Sequence, residues 1–248
     1  MLYGTTAGGG SRGYGTLFSI TTSGSETVLH SFKGGSRDGA TPLASLLDVK
    51  GMLDGTTASG GAYCSGRGGC GTVFSITTSG KETLLYSFKG GKTDGQNPYA
   101  GLINVNGKLY GTNNWAGANC KNGLACGTVF AVTPSGAETV LHSFSGYSTS
   151  DGAVPQAALL DVHGLLYGTT EYGGSGSSGG GTVFEISTSG KEHVLRSFDG
   201  YPDGTNPVAG LIKVKNTLYG TTQAGGSVYC PTSGYLGCGT VFALKLRE

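Results

Sequence analysis

The feature that most constrains the fold of this chain is a pair of short motifs that recurs five times. Leu-Tyr-Gly-Thr-Thr stands at residues 166–170 and recurs, with small changes, at 2–6, 53–57, 109–113 and 218–222. Each copy is followed, after a loop of variable length, by Gly-Thr-(Val/Leu)-Phe, at 15–18, 71–74, 127–130, 181–184 and 239–242. A period of about 50–58 residues is typical of a propeller or a solenoid. We therefore predict a single repeat domain over residues 1–248.

Four strand-like runs occur in a fixed order within a full repeat. The first run is represented by Leu102–Val105, the second is the Leu-Tyr-Gly-Thr-Thr motif, the third is represented by Thr72–Ile76 and the fourth by Thr83–Phe88. These runs are short, β-branched and aromatic, and glycine turns separate them, which is typical of β-strands. Asn106-Gly107 joins the first two runs and predicts a type I′ hairpin, because both central residues of that turn have positive φ.

Four antiparallel strands in each of five repeats predict an all-β fold, and specifically a five-bladed β-propeller with four-stranded blades. The first repeat lacks an opening strand, and the last ends after the third-strand run at 240–244. Eighteen strands are therefore expected in place of the full complement. Either the two terminal blades are incomplete and have three strands, or the array is cut, and the sequence leaves both alternatives open.

The tandem pattern resembles a known family of repeats. Leu-Tyr-Gly-Thr-Thr, Gly-Thr-Val-Phe and then Ser-Phe with Asp-Gly and Pro are similar to the GloVer-type repeat of bacterial secreted and surface-anchored proteins, and the resemblance covers nearly the whole chain. It implies a propeller-like exported repeat protein and identifies no catalytic residue. The order of the strands is also similar to that of kelch blades.

Composition excludes several classes of function. The chain has 49 glycines but no Gly-X-Y period, so collagen is excluded. With a net charge of +1 and no cluster of Lys or Arg, it has no electrostatic footprint for nucleic acid. The sequence has no apolar stretch of the ~18 residues needed to span a bilayer, so we predict no membrane insertion. The four histidines fit no catalytic or metal-binding motif, and we predict no metal and no cofactor.

The long variable loops are predicted to share one face of the molecule with the Asp-Gly loops. In an up-and-down sheet, the connections between strands two and three lie on the same side as those that leave strand four. Three of these loops carry a pair of cysteines, and even numbers at equal placement indicate disulfides and an oxidising compartment, either secreted or cell-surface. The predicted disulfides are Cys64–Cys70, Cys120–Cys126 and Cys230–Cys238.

Carboxylates on this face are the candidates for catalysis. Asp-Gly followed by Pro recurs at Asp38, Asp94, Asp151 and Asp203. The aspartates either form a ring of carboxylates for acid–base work or cation binding, or they accept backbone hydrogen bonds in Asx-turns. Glu171 opens the fourth long loop, where other repeats have Ala, Asn or Gln. Paired carboxylates about 5–9 Å apart would serve a glycoside hydrolase, but the sequence identifies no partner for Glu171.

Aromatic residues in the long loops are the candidates for ligand binding. Aromatic rings stack on the flat apolar faces of sugars, and neighbouring amides supply hydrogen bonds. The alternative is that these rings pack only against their own loops. The candidates are Trp115, Asn114, Tyr63, Tyr172, Tyr229 and Tyr235, with Tyr14 in the shorter first loop. Three functions are predicted as alternatives: a module that binds polysaccharide or a cell-surface glycan, a glycoside hydrolase, and a structural spacer in a larger surface protein.

Overall fold

The computed structural model of the chain describes residues 1–64, 68–120, 126–176, 178–227 and 237–246. Within these residues the secondary structure consists of 24 strands and one short 3-10 helix, η1 (Gly35–Arg37). All the strand pairs that build its sheets are antiparallel. The predicted all-β fold is confirmed.

Five sheets follow one another along the chain, and neighbours in sequence are neighbours in each sheet. The first contains β1 (Leu2–Thr6), β2 (Thr16–Ile20) and β3 (Glu26–Ser31). The second contains β5 (Leu47–Val49), β6 (Met52–Thr57), β8 (Thr72–Thr77) and β9 (Glu82–Ser87). The third contains β11 (Ile103–Val105), β12 (Lys108–Asn113), β14 (Thr128–Val132) and β15 (Glu138–Ser143). The fourth contains β16 (Leu160–Val162), β17 (Leu165–Thr170), β18 (Thr182–Ser187) and β19 (Glu192–Ser197). The fifth contains β21 (Ile212–Val214), β22 (Thr217–Thr221) and β24 (Val241–Lys245).

Three further pairs of two-residue strands link the sheets. They are β4 (Gly39–Ala40) with β7 (Ser59–Gly60), β10 (Gly95–Gln96) with β13 (Trp115–Ala116), and β20 (Gly204–Thr205) with β23 (Ala224–Gly225). The prediction of four strands per repeat is confirmed for the second, third and fourth repeats. The first and fifth sheets have three strands each among the described residues.

The hairpins follow the turn chemistry of the sequence. Asn106 and Gly107 have φ values of 51° and 82°, which confirms the predicted type I′ turn. Gly80, in the turn between the third and fourth strands of its sheet, has a φ of 89°. A Cβ at this position would also collide with the carbonyl oxygen of Leu29 in the preceding sheet. Glycine is therefore required here both by the turn and by the close approach of two sheets.

Phenylalanines form the core between consecutive sheets. The Phe that follows a fourth strand packs edge-to-face on the third-strand Phe of the next sheet, as in Phe32 against Phe74, with ring centroids 5.3 Å apart. The same arrangement recurs at 4.9 Å, 5.2 Å and 5.0 Å at the next three interfaces. A Cβ at Gly55 would overlap the Phe74 ring. This contact explains why the Leu-Tyr-Gly-Thr-Thr motif keeps its glycine.

Hydrogen bonds also connect neighbouring sheets. The Thr56 hydroxyl donates to the carbonyl of Ala100 at 3.0 Å, and Thr112 donates to Ala157 at 3.3 Å. The first strands also contact each other, β5 with β11 and β11 with β16. The sheets therefore pack on one another in chain order, with their first strands together. Among the described residues no helix has the length and apolar character needed to cross a membrane.

Candidate functional site

The candidate site is the surface on which the long loops and the Asp-Gly loops meet. We call this surface the loop face. Gly39 pairs with Gly60, and Ala40 with Ser59, so the Asp-Gly loop of the first sheet joins the long loop of the second. The other short strand pairs and an isolated bridge between Ala153 and Tyr172 repeat this connection at the later interfaces. The prediction that the two sets of loops share one face is confirmed. The described residues of the loop face are the long-loop segments 7–15, 58–64, 68–70, 114–120, 126, 171–176, 178–180, 223–227 and 237–238, with the Asp-Gly loops 33–42, 89–98, 145–155 and 199–207.

The repeated aspartates fix the loops that leave the fourth strands. Asp38 Oδ2 accepts the backbone N–H of Lys33 at 2.8 Å, and its Oδ1 accepts the N–H of Gly39 at 2.7 Å. Asp94 accepts the two corresponding amides at 2.8 Å and 2.6 Å. Asp151 accepts the corresponding first amide at 2.9 Å. These bonds give the aspartates the structural role that the sequence offered as the alternative to catalysis.

One position on the strand before each aspartate differs between repeats. His30 Nε2 lies 3.4 Å from Asp38 Oδ2. The Tyr86 hydroxyl donates to Asp94 Oδ2 at 2.8 Å. The occupants of this position in the first four repeats are His30, Tyr86, His142 and Arg196. The third repeat places His142 Nε2 at 3.2 Å and 3.3 Å from the two carboxylate oxygens of its aspartate. The fourth forms an ion pair between Arg196 and Asp203, with 2.5 Å between Nη2 and Oδ1.

A glutamate from the next sheet joins the first three of these pairs. Glu82 Oε2 lies 3.4 Å from His30 Nε2. In two of the three groups, one imidazole nitrogen and two carboxylate oxygens all lie within 4.8 Å of one another. The first cluster is His30, Asp38 and Glu82; the second cluster is His142, Asp151 and Glu192. The histidines match no motif in the sequence, yet two of them each lie beside two carboxylates, because these partners lie on a loop and on the next sheet.

The electrostatics of these groups follow from burial. Burial raises the pKa of Glu82, Glu138 and Glu192 to about 7. The neighbouring Asp38 carboxylate raises the pKa of His30, against the opposing effect of burial. Burial opposes the shift of Asp38, yet the interaction with His30 and the backbone amides lowers the pKa of this carboxyl. The first interface therefore holds two neighbouring carboxyl groups whose pKa values are shifted in opposite directions, that of Glu82 upward and that of Asp38 downward.

The aromatic candidates occupy different depths in the loop face. Tyr63 is 45% exposed, and the Lys89 ammonium lies 5.8 Å from its ring centroid. Trp115 is half-buried in β13. Tyr172 is half-buried, and its ring centroid lies 4.6 Å from that of Tyr147. The remaining two candidates, Tyr229 and Tyr235, lie outside the described residues.

Among the described residues, four tyrosines in the loops of the loop face are exposed. Tyr14 and Tyr63 belong to long loops, and they are 47% and 45% exposed. Tyr147 and Tyr201 belong to Asp-Gly loops, and they are 46% and 63% exposed. Tyr147 and Tyr201 were not predicted from the sequence, because only aromatic residues of the long loops were taken as candidates. Their position shortly before an Asp-Gly motif was the available signal.

Glu171 lies beside the paired tyrosines of the third interface. Its carboxylate accepts a hydrogen bond from the side-chain amide of Gln156. Burial raises the pKa of the Tyr147 hydroxyl, and the charge of the nearby Glu171 raises it further. Asn114 holds the corresponding position one repeat earlier, but it is only 2% exposed. The Asn114 side chain therefore lies inside its loop, whereas that of Glu171 is half-buried at the loop face.

Disulfides close the long loops. Cys64 is bonded to Cys70 and Cys120 to Cys126, with Cα atoms 5.4 Å and 5.6 Å apart. These two predicted bonds are confirmed. Cys238 is also disulfide-bonded. Its predicted partner, Cys230, lies outside the described residues.

A cavity on the opposite face contains a residue that departs from the repeat. Asp54 stands where the other repeats have tyrosine, and it is 6% exposed. It lines a cavity of about 520 Å³ between the second and third sheets, together with Ser75 and the apolar Leu85 and Leu109. Burial raises the pKa of the Asp54 carboxyl.

The fold and the loop face together define a tandem-repeat protein of stacked antiparallel sheets. The chain belongs to the family described as the Gloeobacter/Verrucomicrobia repeat, whose model matches residues 1–242. This confirms the resemblance to GloVer-type repeats. No curated protein matches the chain.

Several solved structures are similar to this fold at low sequence identity. A computationally designed protein, Ika8, matches with a TM-score of 0.49 and 16% identity over 96% of this chain and 54% of its own length. A luciferin-regenerating enzyme matches with a TM-score of 0.47 and 15% identity over 95% of this chain and 75% of its own. An α-L-arabinofuranosidase from Clostridium thermocellum matches with a TM-score of 0.42 and 11% identity over 95% and 81%. The chain thus spans about half of the length of the designed protein.

Proposed function

We propose that this chain is a secreted or cell-surface β-propeller, with the five sheets as its blades, that binds polysaccharide or another surface ligand on its loop face. The observation that carries this proposal is the series of four exposed tyrosines in the described loops of the loop face. A tyrosine ring offers an apolar face to a ligand while its hydroxyl stays hydrated. The residues of this series are Tyr14, Tyr63, Tyr147 and Tyr201.

A ligand that itself repeats suits a surface on which one contact repeats. The tyrosines lie on loops that recur in the same order along the chain, two of them on long loops and two on Asp-Gly loops. Single contacts of this kind are weak, but linked contacts to one polymer reinforce each other. The charged fraction of 12% and the net charge of +1 favour an uncharged polymer over a strongly ionic one.

The disulfides support an extracytoplasmic location. Disulfide bonds persist in oxidising compartments and are rare in the cytosol. The bonds Cys64–Cys70 and Cys120–Cys126 lie in loops of the proposed binding face. They limit the movement of the loops that carry Tyr63 and Trp115, which reduces the ordering cost of binding.

The test is a panel of soluble and insoluble polysaccharides incubated with the purified protein. We expect Tyr147→Ala and Tyr201→Ala each to lower affinity for the bound polymer about three- to tenfold, and Trp115→Ala to do the same if its ring reaches the ligand. The matched control is His163→Ala, an exposed residue of a hairpin on the opposite face. Wild-type affinity in all the tyrosine variants would contradict the proposal.

The hydrolase alternative is decided in the same wells by measuring released reducing ends. Glu171 favours this function, because its carboxylate is held by Gln156 beside an exposed tyrosine. Its partner would come from Asp38, Asp94, Asp151 or Asp203. Release that is abolished by Glu171→Gln and by alanine at one of these aspartates would assign a glycoside hydrolase. Neither binding nor release on any polymer would favour the structural spacer.

A further inference from the structure

In the first cluster, the distances between the imidazole nitrogen and the carboxylate oxygens are longer than those of good hydrogen bonds. They match the distances between two ligands of one metal ion. His30 Nε2 lies 3.4 Å from both Asp38 Oδ2 and Glu82 Oε2. Strong N–H···O bonds span about 2.7–3.2 Å, so this nitrogen is too far from either oxygen for a good hydrogen bond. Ligands bonded to one tetrahedral ion at about 2.0–2.2 Å lie about 3.3–3.6 Å apart. All three candidate ligand atoms lie within 4.8 Å of one another, so binding a common ion would require only local movement of the side chains.

Buried polar atoms in the first cluster also lack partners. His30 Nε2 and Glu82 Oε1 are inaccessible to solvent and have no hydrogen-bond partner among the described residues. The Asp38 side chain is 8% exposed, and that of Glu82 is 14% exposed. An unsatisfied buried polar atom is costly, and a bound cation would satisfy several of them at once. The backbone amides of Lys33 and Gly39 already orient the Asp38 carboxylate, as outer partners do at metal sites.

The second cluster has the same three residue types as the first. It lies two sheets further along the chain and is more exposed to solvent. His142 Nε2 lies 3.2 Å and 3.3 Å from the two oxygens of Asp151. Glu192 Oε1 is buried and has no partner within the described part of the chain. Asp151 and Glu192 also border a surface groove of about 440 Å³. The groove supplies a path by which an ion could enter and a direction for a further ligand.

The other two repeats show what else this position accepts. Arg196 places its guanidinium 2.5 Å from Asp203, so a cation provided by the chain itself stands beside the carboxylate there. Tyr86 fills the position with a hydroxyl that donates to Asp94 at 2.8 Å. The same carboxylate therefore faces a neutral donor, a fixed cation or an imidazole, depending on one residue.

From this comparison we infer that each of the two histidine clusters binds one divalent transition-metal ion of the Zn²⁺ or Mn²⁺ class. One imidazole nitrogen and two carboxylate oxygens suit such ions, whereas Mg²⁺ and Ca²⁺ prefer oxygen ligands alone. Three protein ligands leave at least one coordination position for water or for a group of a ligand. Each ion would connect neighbouring sheets, because every cluster draws its ligands from two of them.

The test uses the full chain without an affinity tag, stripped with a chelator and dialysed against Zn²⁺, Mn²⁺ or Mg²⁺ separately. Bound metal is counted by mass spectrometry. We expect two Zn²⁺ ions per chain, loss of one in His30→Gln, loss of the other in His142→Gln, and no loss in the control His163→Gln. If a histidine variant does not fold, Glu82→Gln and Glu192→Gln test the same two positions.

The second repeat provides a gain-of-function test. Asp94 and Glu138 are already in place there, so Tyr86→His should create a third site and raise the count by one ion per chain. Tyr86→Phe, which adds no ligand, should leave the count unchanged. Equal metal content in the wild type and both histidine variants would overturn the inference, as would a wild type that binds none of the transition metals.

Discussion

The first and second interfaces have the same backbone hydrogen bonds around an equivalent aspartate. They differ in the one side chain that faces this aspartate. Asp38 and Asp94 each accept two amides of their own loop. A glutamate of the next sheet approaches both. Yet His30 lies 3.4 Å from its aspartate, and Tyr86 donates to its own at 2.8 Å. The repeat therefore fixes the carboxylates, and one variable position decides whether they receive a hydroxyl or form a cluster with an imidazole.

The largest expected effect tests whether the two interfaces have equivalent scaffolds. Phe88 is 0% exposed and packs on Phe130 with centroids 4.9 Å apart, as Phe32 packs on Phe74 at 5.3 Å. Because each truncation leaves a cavity, Phe88→Ala and Phe32→Ala should each lower the free energy of unfolding by about 3–5 kcal/mol. Urea unfolding measures both. A small loss at only one of them would show that the interfaces are packed differently.

The disulfide is a second difference between these interfaces. Cys64–Cys70 closes the long loop of the second sheet, and the loop of the first sheet has no cysteine. On the chain-entropy estimate, Cys64→Ser with Cys70→Ser should lower the free energy of unfolding by about 2 kcal/mol. Hydrogen exchange should rise in the second loop. The first loop is the internal control, and equal acceleration in both loops would contradict a local effect.

The features that are determined within one loop or one hairpin were the ones that the sequence predicted correctly. Gly107, with its positive φ, and the cysteine pairs act within one loop or hairpin, so their neighbours in sequence determine them. The aspartate clusters were missed because His30 and Glu82 meet only when two sheets pack together. Glutamate does recur at the start of every fourth strand, at Glu26, Glu82, Glu138 and Glu192, and this recurrence was the signal.

The candidate binding residues were predicted less well for a related reason. Asn114 and Glu171 hold the same repeat position, yet only the first is almost fully buried. The backbone bond to the preceding Asp-Gly loop is the same in both, from the N–H of Asn114 to the carbonyl of Asn97 at 3.2 Å and from that of Glu171 to Val154 at 3.1 Å. The difference in depth therefore lies in the side chains. Tyr147 contributes to the surface from that preceding loop. Side-chain exposure at an interface therefore depends on two repeats, and one repeat cannot predict it.

A pH-dependent prediction concerns the glutamate of the second interface. Burial raises the pKa of Glu138 to about 7, with Asp94 acting in the same direction and Lys89 opposing. The contribution of Glu138 to stability is thus fully present below the ordinary carboxyl pKa and is lost as pH rises through about 7. The Glu138→Gln variant should therefore have a free energy of unfolding about 1–2 kcal/mol higher than that of wild type at pH 8–9, and an equal one at pH 4. Thermal unfolding across pH measures this, and a pH-independent difference would contradict it.

The smallest expected effect concerns the Tyr86 hydroxyl. Tyr86→Phe removes the 2.8 Å hydrogen bond to Asp94 and leaves the two amides on that carboxylate. We expect a loss of about 0.5–1.5 kcal/mol in urea unfolding. His30→Phe in the metal-free chain should cost less than this through its carboxylate, because His30 makes no short bond to Asp38. If the two losses were reversed without metal, His30 would be stabilising its interface as a charged group, and the contrast between the interfaces would be one of charge rather than of bonding distance.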